Sequence, residues 1–396
     1  MKGERSLVEQ PVAVAVLCGL SAMTALSVEI ILPSIGPIAR DLSVAEASAS
    51  LLIGMYFISY GLGQMVWGAL SDRFGRKRML YIGLSGFALM SVGCALAANF
   101  ETLFAFRLAQ GFCGAAPVIA RAIVRDVGKG PAAARLMAAL ASVTAIAPML
   151  GPAVGSGLLY IFDWRAPFVL MAIFAAGFFI AARMALPETL KTPKPSATDP
   201  RQIMKSARFL FRQRDFVVGT LVAGLSFSGF ASVLALGSLV GERAYDIPPE
   251  AFGGLYALAA VTQVAGAIFV RNYVARMGIA RVTWIAVSIL LIAAMIHGWF
   301  LVETPDFPLF WFGVGVYMLG FGVALPVAQT IALQPAEGMA GFAVSLHGTS
   351  LMVIAATTAS GVTALYDGTH FAISVAMLGM GIAAFAVFAI GRRAEY

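Results

Sequence analysis

Two full charges stand alone inside long apolar runs, and they are where this chain can do chemistry. Glu29 lies in Thr24-Ala25-Leu26-Ser27-Val28-Glu29-Ile30-Ile31-Leu32-Pro33, about a turn before a proline that loosens the helix end. Arg107 lies in Phe106-Arg107-Leu108-Ala109-Gln110-Gly111-Phe112-Cys113-Gly114. An ionisable side chain at hydrocarbon depth costs roughly 2.5–3.5 kcal/mol on insertion scales, so it marks a functional site by default. A carboxyl there favours its neutral form, which suits it to take up and release a proton. Arginine keeps its proton, so Arg107 is expected to face an aqueous cavity or to pair with a carboxylate. Gln110 at i+3 continues a polar strip, and Gly111 and Gly114 leave room beside it. A third stretch, Ala147-Pro148-Met149-Leu150-Gly151-Pro152-Ala153-Val154-Gly155-Ser156, sets prolines and glycines in an apolar run. It is expected to bend a helix and strip side-chain bulk from one face.

These groups need a scaffold, and composition names its class. Of 396 residues, 60% are hydrophobic and 12% charged, far from the quarter charged that soluble domains carry. The chain reads as an all-α integral membrane protein. With about 20 apolar residues per crossing, twelve helices are expected near 11–35, 47–70, 79–98, 102–124, 135–161, 165–186, 215–240, 250–271, 280–302, 307–332, 341–365 and 370–391. The runs are continuous rather than alternating, which excludes a β-barrel. Met1 to Gln10 precedes a run without a small-residue cleavage site, so that run reads as a retained span. One long polar segment separates six spans from six. The plan is an N-terminal half over 1–190, a linker over 191–214 and a C-terminal half over 215–396, with binding expected at the midplane between the halves.

The cations fix the orientation. The chain carries a net charge of +7, and 23 of its 27 Lys and Arg fall on one side of the expected spans. Arg40, Arg165 and Arg243 lie on the other side and Arg107 lies within a span. That alternation argues for a lipid bilayer rather than a nucleic acid as partner, and it puts both termini and the linker in the cytoplasm. The chain is expected to be a multi-pass protein of a cell membrane.

Gly68-Ala69-Leu70-Ser71-Asp72-Arg73-Phe74-Gly75-Arg76-Lys77-Arg78-Met79-Leu80 packs four cations and one carboxylate between the second and third spans. It resembles the G-x-L-x-D-R-x-G-R-K loop of the major facilitator superfamily, matching at Gly68, Leu70, Asp72, Arg73, Gly75, Arg76 and Lys77. Arg107, Gln110 and Gly111 resemble that family's fourth-span R-x-x-Q-G-x-G signature, with the second glycine displaced to Gly114. Gly151, Pro152 and Gly155 resemble its antiporter signature G-x-x-x-G-P-x-x-G-G, with Ala147 and Ser156 replacing glycines. With Leu32-Pro33, Arg121 to Asp126, Asp163-Trp164-Arg165 and Leu186-Pro187-Glu188-Thr189-Leu190, the first half looks like a drug:proton antiporter of the bicyclomycin/chloramphenicol-resistance type. Such transporters usually hold an aspartate in the first span, and here Glu29 is the candidate.

The resemblance implies a proton-coupled exporter of small amphiphilic molecules, including drugs, with substrate and protons as its partners. A proton symporter importing a nutrient on the same fold is the alternative. The resemblance also implies that Arg76 pairs with Asp126, and that Asp72 sits beside the start of the eleventh span near Gly338 to Phe342. These contacts would close the cytoplasmic side. Tyr56, Phe57, Tyr60, Gln64, Trp67 and Gln329 are candidates to line the cavity.

Other chemistry has no foothold. Cys18, Cys94 and Cys113 all sit in apolar runs, and His297, His347 and His370 are scattered without metal spacing. No phosphate-cradling loop is present. A monomer without metal or cofactor, and without enzymatic activity, is expected.

Overall fold

The structure is a computed structural model that describes residues 10–127, 131–190, 192–193, 195–336 and 339–393. It is all helical. The first span is α1 (Pro11–Glu29), a short 3-10 turn over Leu32–Ser34, and α2 (Ile35–Asp41). Then follow α3 (Glu46–Phe74), α4 (Arg76–Ala95), α5 (Phe100–Phe112), α6 (Ala116–Val127), α7 (Pro131–Ile161) and α8 (Ala166–Ala185). A surface helix, α9 (Pro200–Phe211), precedes α10 (Arg214–Tyr245), α11 (Pro249–Met277), α12 (Ile279–Phe300), α13 (Phe307–Leu333), α14 (Ala340–Ala364) and α15 (Phe371–Arg393). Among the described residues, eleven helical stretches are long and apolar enough to cross a membrane. The 31-residue α7 supplies a further crossing helix. Lys191 and Lys194 of the expected linker lie outside the described residues.

Local chemistry explains the ends. Pro11, Pro200 and Pro249 open helices, where a missing N–H costs nothing. Asn99, Asp199 and Asp306 cap α5, α9 and α13 by accepting from Thr102, Arg201 and Leu309 N–H groups. Two breaks fall within spans. Pro33 cannot donate to the Glu29 carbonyl, so α1 stops at Glu29. The fourth span, expected as one helix, is divided at Cys113-Gly114-Ala115, because Pro117 leaves the Cys113 carbonyl without its helical donor. The Trp67 indole donates to the freed Phe112 carbonyl at 2.7 Å. Trp67, a candidate for cavity lining, is thus a pin across the break.

The first six spans pack chiefly on one another, as α1 on α7, α4 on α8 and α3 on α5, and the last six do likewise around α10 and α13. The two sets meet along two seams, α3 against α14 and α7 against α11. Small residues allow the approach. A Cβ at Gly61 would stand 2.9 Å from Met352, and the Thr349 hydroxyl donates to the Gly61 carbonyl at 2.6 Å.

The charged stretch after the second span is tighter than its composition suggests. α3 continues through Asp72 and Arg73 to Phe74, and the turn to α4 is the single residue Gly75 at φ 102°. Gly278 makes the same turn from α11 to α12 at φ 80°, so the second set of spans repeats the device. Both conformations are open essentially to glycine alone. At Gly75 a Cβ would also stand 2.7 Å from Glu188 Oε2, whose carboxylate accepts from the Arg76 and Lys77 N–H groups at the start of α4. Around Gly278 a Cβ meets nothing within 4 Å. Gly75→Ala is therefore expected to cost more than Gly278→Ala. The second loses only the backbone strain of about 1–3 kcal/mol, and the first also disturbs the cap. Thermal unfolding of both variants in detergent checks this, and an equal loss would dismiss the role given to Glu188.

Candidate functional site

Glu29 ends α1 at the seam between the two sets of spans. Its side chain is buried, 4% exposed, and its Oε2 has no hydrogen-bond partner. The Tyr256 hydroxyl faces it from α11, but the geometry stops short of a hydrogen bond, and the Tyr256 oxygen is equally unpartnered. A carboxyl and a phenol thus oppose each other across the seam with their bonding capacity unspent. Such a pair can accept a proton or a small polar ligand.

The glycines of the fifth span bring α7 onto the break in α1. A Cβ at Gly151 would stand 3.3 Å from the Glu29 carbonyl carbon. One at Gly155 would stand 2.9 Å from the Ile30 carbonyl carbon and 3.1 Å from Pro33. The next face of the same motif turns to α11. The Pro152 carbonyl lies against Gly253, and the Ser156 hydroxyl donates to the Pro249 carbonyl at 3.3 Å and accepts from Gly253 N–H at 3.1 Å. Through this stretch α7 remains one continuous helix. The motif works as a wedge that locks α1, α7 and α11 around Glu29.

Arg107 departs from expectation. It is 1% exposed, so it faces no water, and it forms no ion pair with any described carboxylate. Neutral groups solvate it instead. Nη2 donates to the Ser27 carbonyl at 2.8 Å and Nη1 to the Ser27 hydroxyl at 3.0 Å and to Gln110 Oε1. The Tyr56 ring lies 4.0 Å beneath the guanidinium, an attraction worth about 2 kcal/mol when desolvated. Gln110 passes the polarity on, donating to Ser91 at 2.6 Å, and Ser91 donates to the Phe87 carbonyl at 2.7 Å. Ser27 stands in the last turn of α1, where carbonyls run out of helical donors. Arg107 therefore caps the broken helix two residues before Glu29.

The other candidates do not converge on Glu29 but are dispersed over α3, α4, α6 and α13. Tyr60 stacks on Tyr56 with ring centroids 6.3 Å apart, and Gln64 is buried against Gly348 of α14. Gln329 is half-buried on α13. Toward the cation-rich end, Gly68 faces Ser345, and Arg76 is the hub of the charged turn. Its guanidinium pairs with Asp72 at 2.5 Å and Asp126 at 2.8 Å and donates to the Ser71 hydroxyl at 2.7 Å. Arg73 donates to the Thr198 hydroxyl. Asp72 lines a cleft of about 300 Å³ with Gly341 and Phe342 of α14, while its ion partner is Arg76. Gly338 lies outside the described residues. His297 and His347 are packed, against Ser374 and Thr220.

Sequence reasoning missed Ser27 and Tyr256, and it missed a set of ion pairs at the opposite end. There Arg40 of α2 pairs with Glu242 of α10, and Arg243 of α10 pairs with Glu46 of α3. Arg165 pairs with Asp41 at 3.1 Å. The only available signal was that three isolated cations on an otherwise cation-poor end needed partners.

The wedge around Glu29 makes a sharp comparison within one helix. Gly155→Val is expected to lower the unfolding temperature by an amount equivalent to about 1–3 kcal/mol, the usual cost of overpacking. Gly157→Val, where a Cβ meets nothing within 4 Å, should change stability by less than about 0.5 kcal/mol. Equal losses at the two positions, measured by thermal scans in detergent, would remove the packing role from Gly155.

Known proteins give this geometry a context. The family model described as Major Facilitator Superfamily matches residues 17–359. The chain is 30% identical over 318 residues to Multidrug resistance protein MdtL of Shigella flexneri serotype 5b (strain 8401), covering 78% of each. It is 27% identical over 348 residues to a Bicyclomycin resistance protein homolog of Haemophilus influenzae, covering 86% of each. A solved D-xylose-proton symporter matches with a TM-score of 0.75 at 16% identity over 96% of both chains, a likeness of fold alone. Because the family match runs from the first span into the eleventh, the chain belongs to the Major Facilitator Superfamily and is a secondary transporter rather than an enzyme.

Proposed function

We propose that this transporter exports small amphiphilic molecules, drugs among them, in exchange for protons across a bacterial inner membrane. In this reading residues 1–190 and 215–396 form two six-helix halves joined by the linker 191–214, and the cation-rich end faces the cytoplasm. The observation that carries the reading is the buried carboxyl of Glu29, unpartnered at Oε2 and facing Tyr256 across the seam. Two relatives named for drug or bicyclomycin resistance support export.

In the mechanism, Glu29 takes a proton when the site opens outward, and bound substrate leaves. The neutral carboxyl then passes the midplane without the penalty of a buried charge. When the site opens inward, substrate binding and proton release go together. Tyr256 faces the carboxyl across the seam, while Arg107, held by Ser27 and Gln110, fixes the end of α1 that carries Glu29. Gly68, Asp72, Arg73, Gly75, Arg76 and Asp126 form the cytoplasmic gate, closed while Asp72 lies beside Gly341 and Phe342 of α14 with Arg76 bridging Asp72 and Asp126.

Everted vesicles with a panel of dyes and drugs and a pH readout test the reading. Glu29→Gln is expected to abolish proton-driven uptake into these vesicles with expression intact, and Glu29→Asp to keep part of it. Full pH-dependent transport by Glu29→Gln would sink the assignment, and substrate movement in the same direction as protons would identify a symporter.

The gate has its own test. Asp72→Asn leaves every cation in place, so insertion should be normal, while transport falls and cysteine accessibility reports a cavity more often open to the cytoplasm. Wild-type transport by this variant would retire the gate.

A further inference from the structure

We propose that α9 is an interfacial helix that binds the phosphate headgroups of anionic phospholipids at the foot of the α3–α14 seam. The helix has two distinct faces. Leu210 is sealed against Phe216, Ala343 and Leu346, with Ala207 half-buried beside it. On the opposite arc Arg201, Lys205, Arg208 and Arg212 follow at intervals of four, three and four residues, which places them in one stripe. None of the four has an ion-pair partner among the described residues. Flanking that stripe, Met204 is 68% exposed and Phe211, which meets the Phe216 ring edge-on, 51% exposed, an apolar ridge only partly covered by the bundle.

Chain connectivity fixes the depth of this helix. α9 ends at Phe211 and the membrane-crossing α10 begins at Arg214, so its C-terminal end cannot leave the level where a span meets water. Its inner face packs with Met65 of α3 and Phe342 of α14. Beside Met65 on α3, Leu62 and Val66 are exposed apolar side chains. A basic stripe beside an apolar ridge at that depth matches a leaflet of anionic lipid, with guanidinium and ammonium groups on phosphate oxygens and Met204 and Phe211 among the upper acyl carbons. A nucleic acid would satisfy the cations and leave the ridge in water.

The site also touches the gate. Gln202, Ile203 and Ser206, on the inner flank of α9, wall the same cleft as Asp72 and Arg76. A headgroup that holds α9 therefore steadies one wall of that cleft.

The test uses the full-length protein in nanodiscs of equal phosphatidylglycerol and phosphatidylethanolamine, with protein-bound lipid counted by native mass spectrometry. The wild type should retain phosphatidylglycerol in preference to phosphatidylethanolamine. Each surface cation strengthens attraction to such lipid about five-fold, so R201Q/K205Q/R208Q/R212Q should lower that retention at least about ten-fold. The corresponding variant with lysine at Arg201, Arg208 and Arg212 should keep most of it, which separates charge from misfolding. Unchanged preference in the glutamine variant would overturn the proposal. So would equal retention of both lipids by the wild type, or displacement of phosphatidylglycerol by a short RNA.

Discussion

A guanidinium that cannot give up its proton lies buried in the interior of this bundle with no ion-pair partner among the described residues. Removing a cation from water is expensive, and the protein offsets the cost with dipoles and a ring: Ser27, Gln110 and the face of Tyr56. Much of the candidate site depends on that solution. Arg107 joins α5 to the broken end of α1, and through Gln110 and Ser91 it reaches α4. Loss of its planar fork would free the turn that carries Glu29, because an ammonium cannot reach the two Ser27 oxygens and Gln110 in the same rigid arrangement.

The break in α1 and the glycines of α7 are two aspects of one design. A helix interrupted inside a membrane exposes carbonyls that lipid cannot satisfy. Here the interruption is enclosed by protein: Gly151 and Gly155 bring α7 to backbone contact, and Arg107 takes the Ser27 carbonyl. The fourth span repeats the logic with other parts, the Trp67 indole taking the carbonyl that the break near Pro117 leaves free. In both cases irregular backbone is tolerated where a neighbouring side chain or a close helix replaces the missing donor.

Much of this was legible in the sequence, and what was not follows a pattern. Span number and the isolation of Glu29 and Arg107 are properties of local composition, which a linear reading captures. The division of the fourth span was also written locally, in Gly114 and Pro117, but the apolar run around them masked it. The partners of the buried groups were not legible. Ser27 and Arg107 are 80 positions apart, and Glu46 and Arg243 are 197 apart; no periodicity links such residues. The expectation that Arg107 faces an aqueous cavity or pairs with a carboxylate left out a third way to solvate an ion in a dry interior, by neutral dipoles and a ring face.

The cross-linked end opposite the charged turn has a consequence for the environment the transporter works in. Arg40–Glu242 and Glu46–Arg243 join the first and last six spans with opposite polarity, the cation coming from each set once. Both cations are more than half exposed, so each pair is weak and open to screening. The screening length shrinks from about 10 Å at 0.1 M salt to about 3 Å at 1 M, while the buried contacts of the wedge around Glu29 are indifferent to it. Salinity thus loosens these cross-links while sparing the buried wedge, and the balance between the two becomes a property of the medium as well as of the chain.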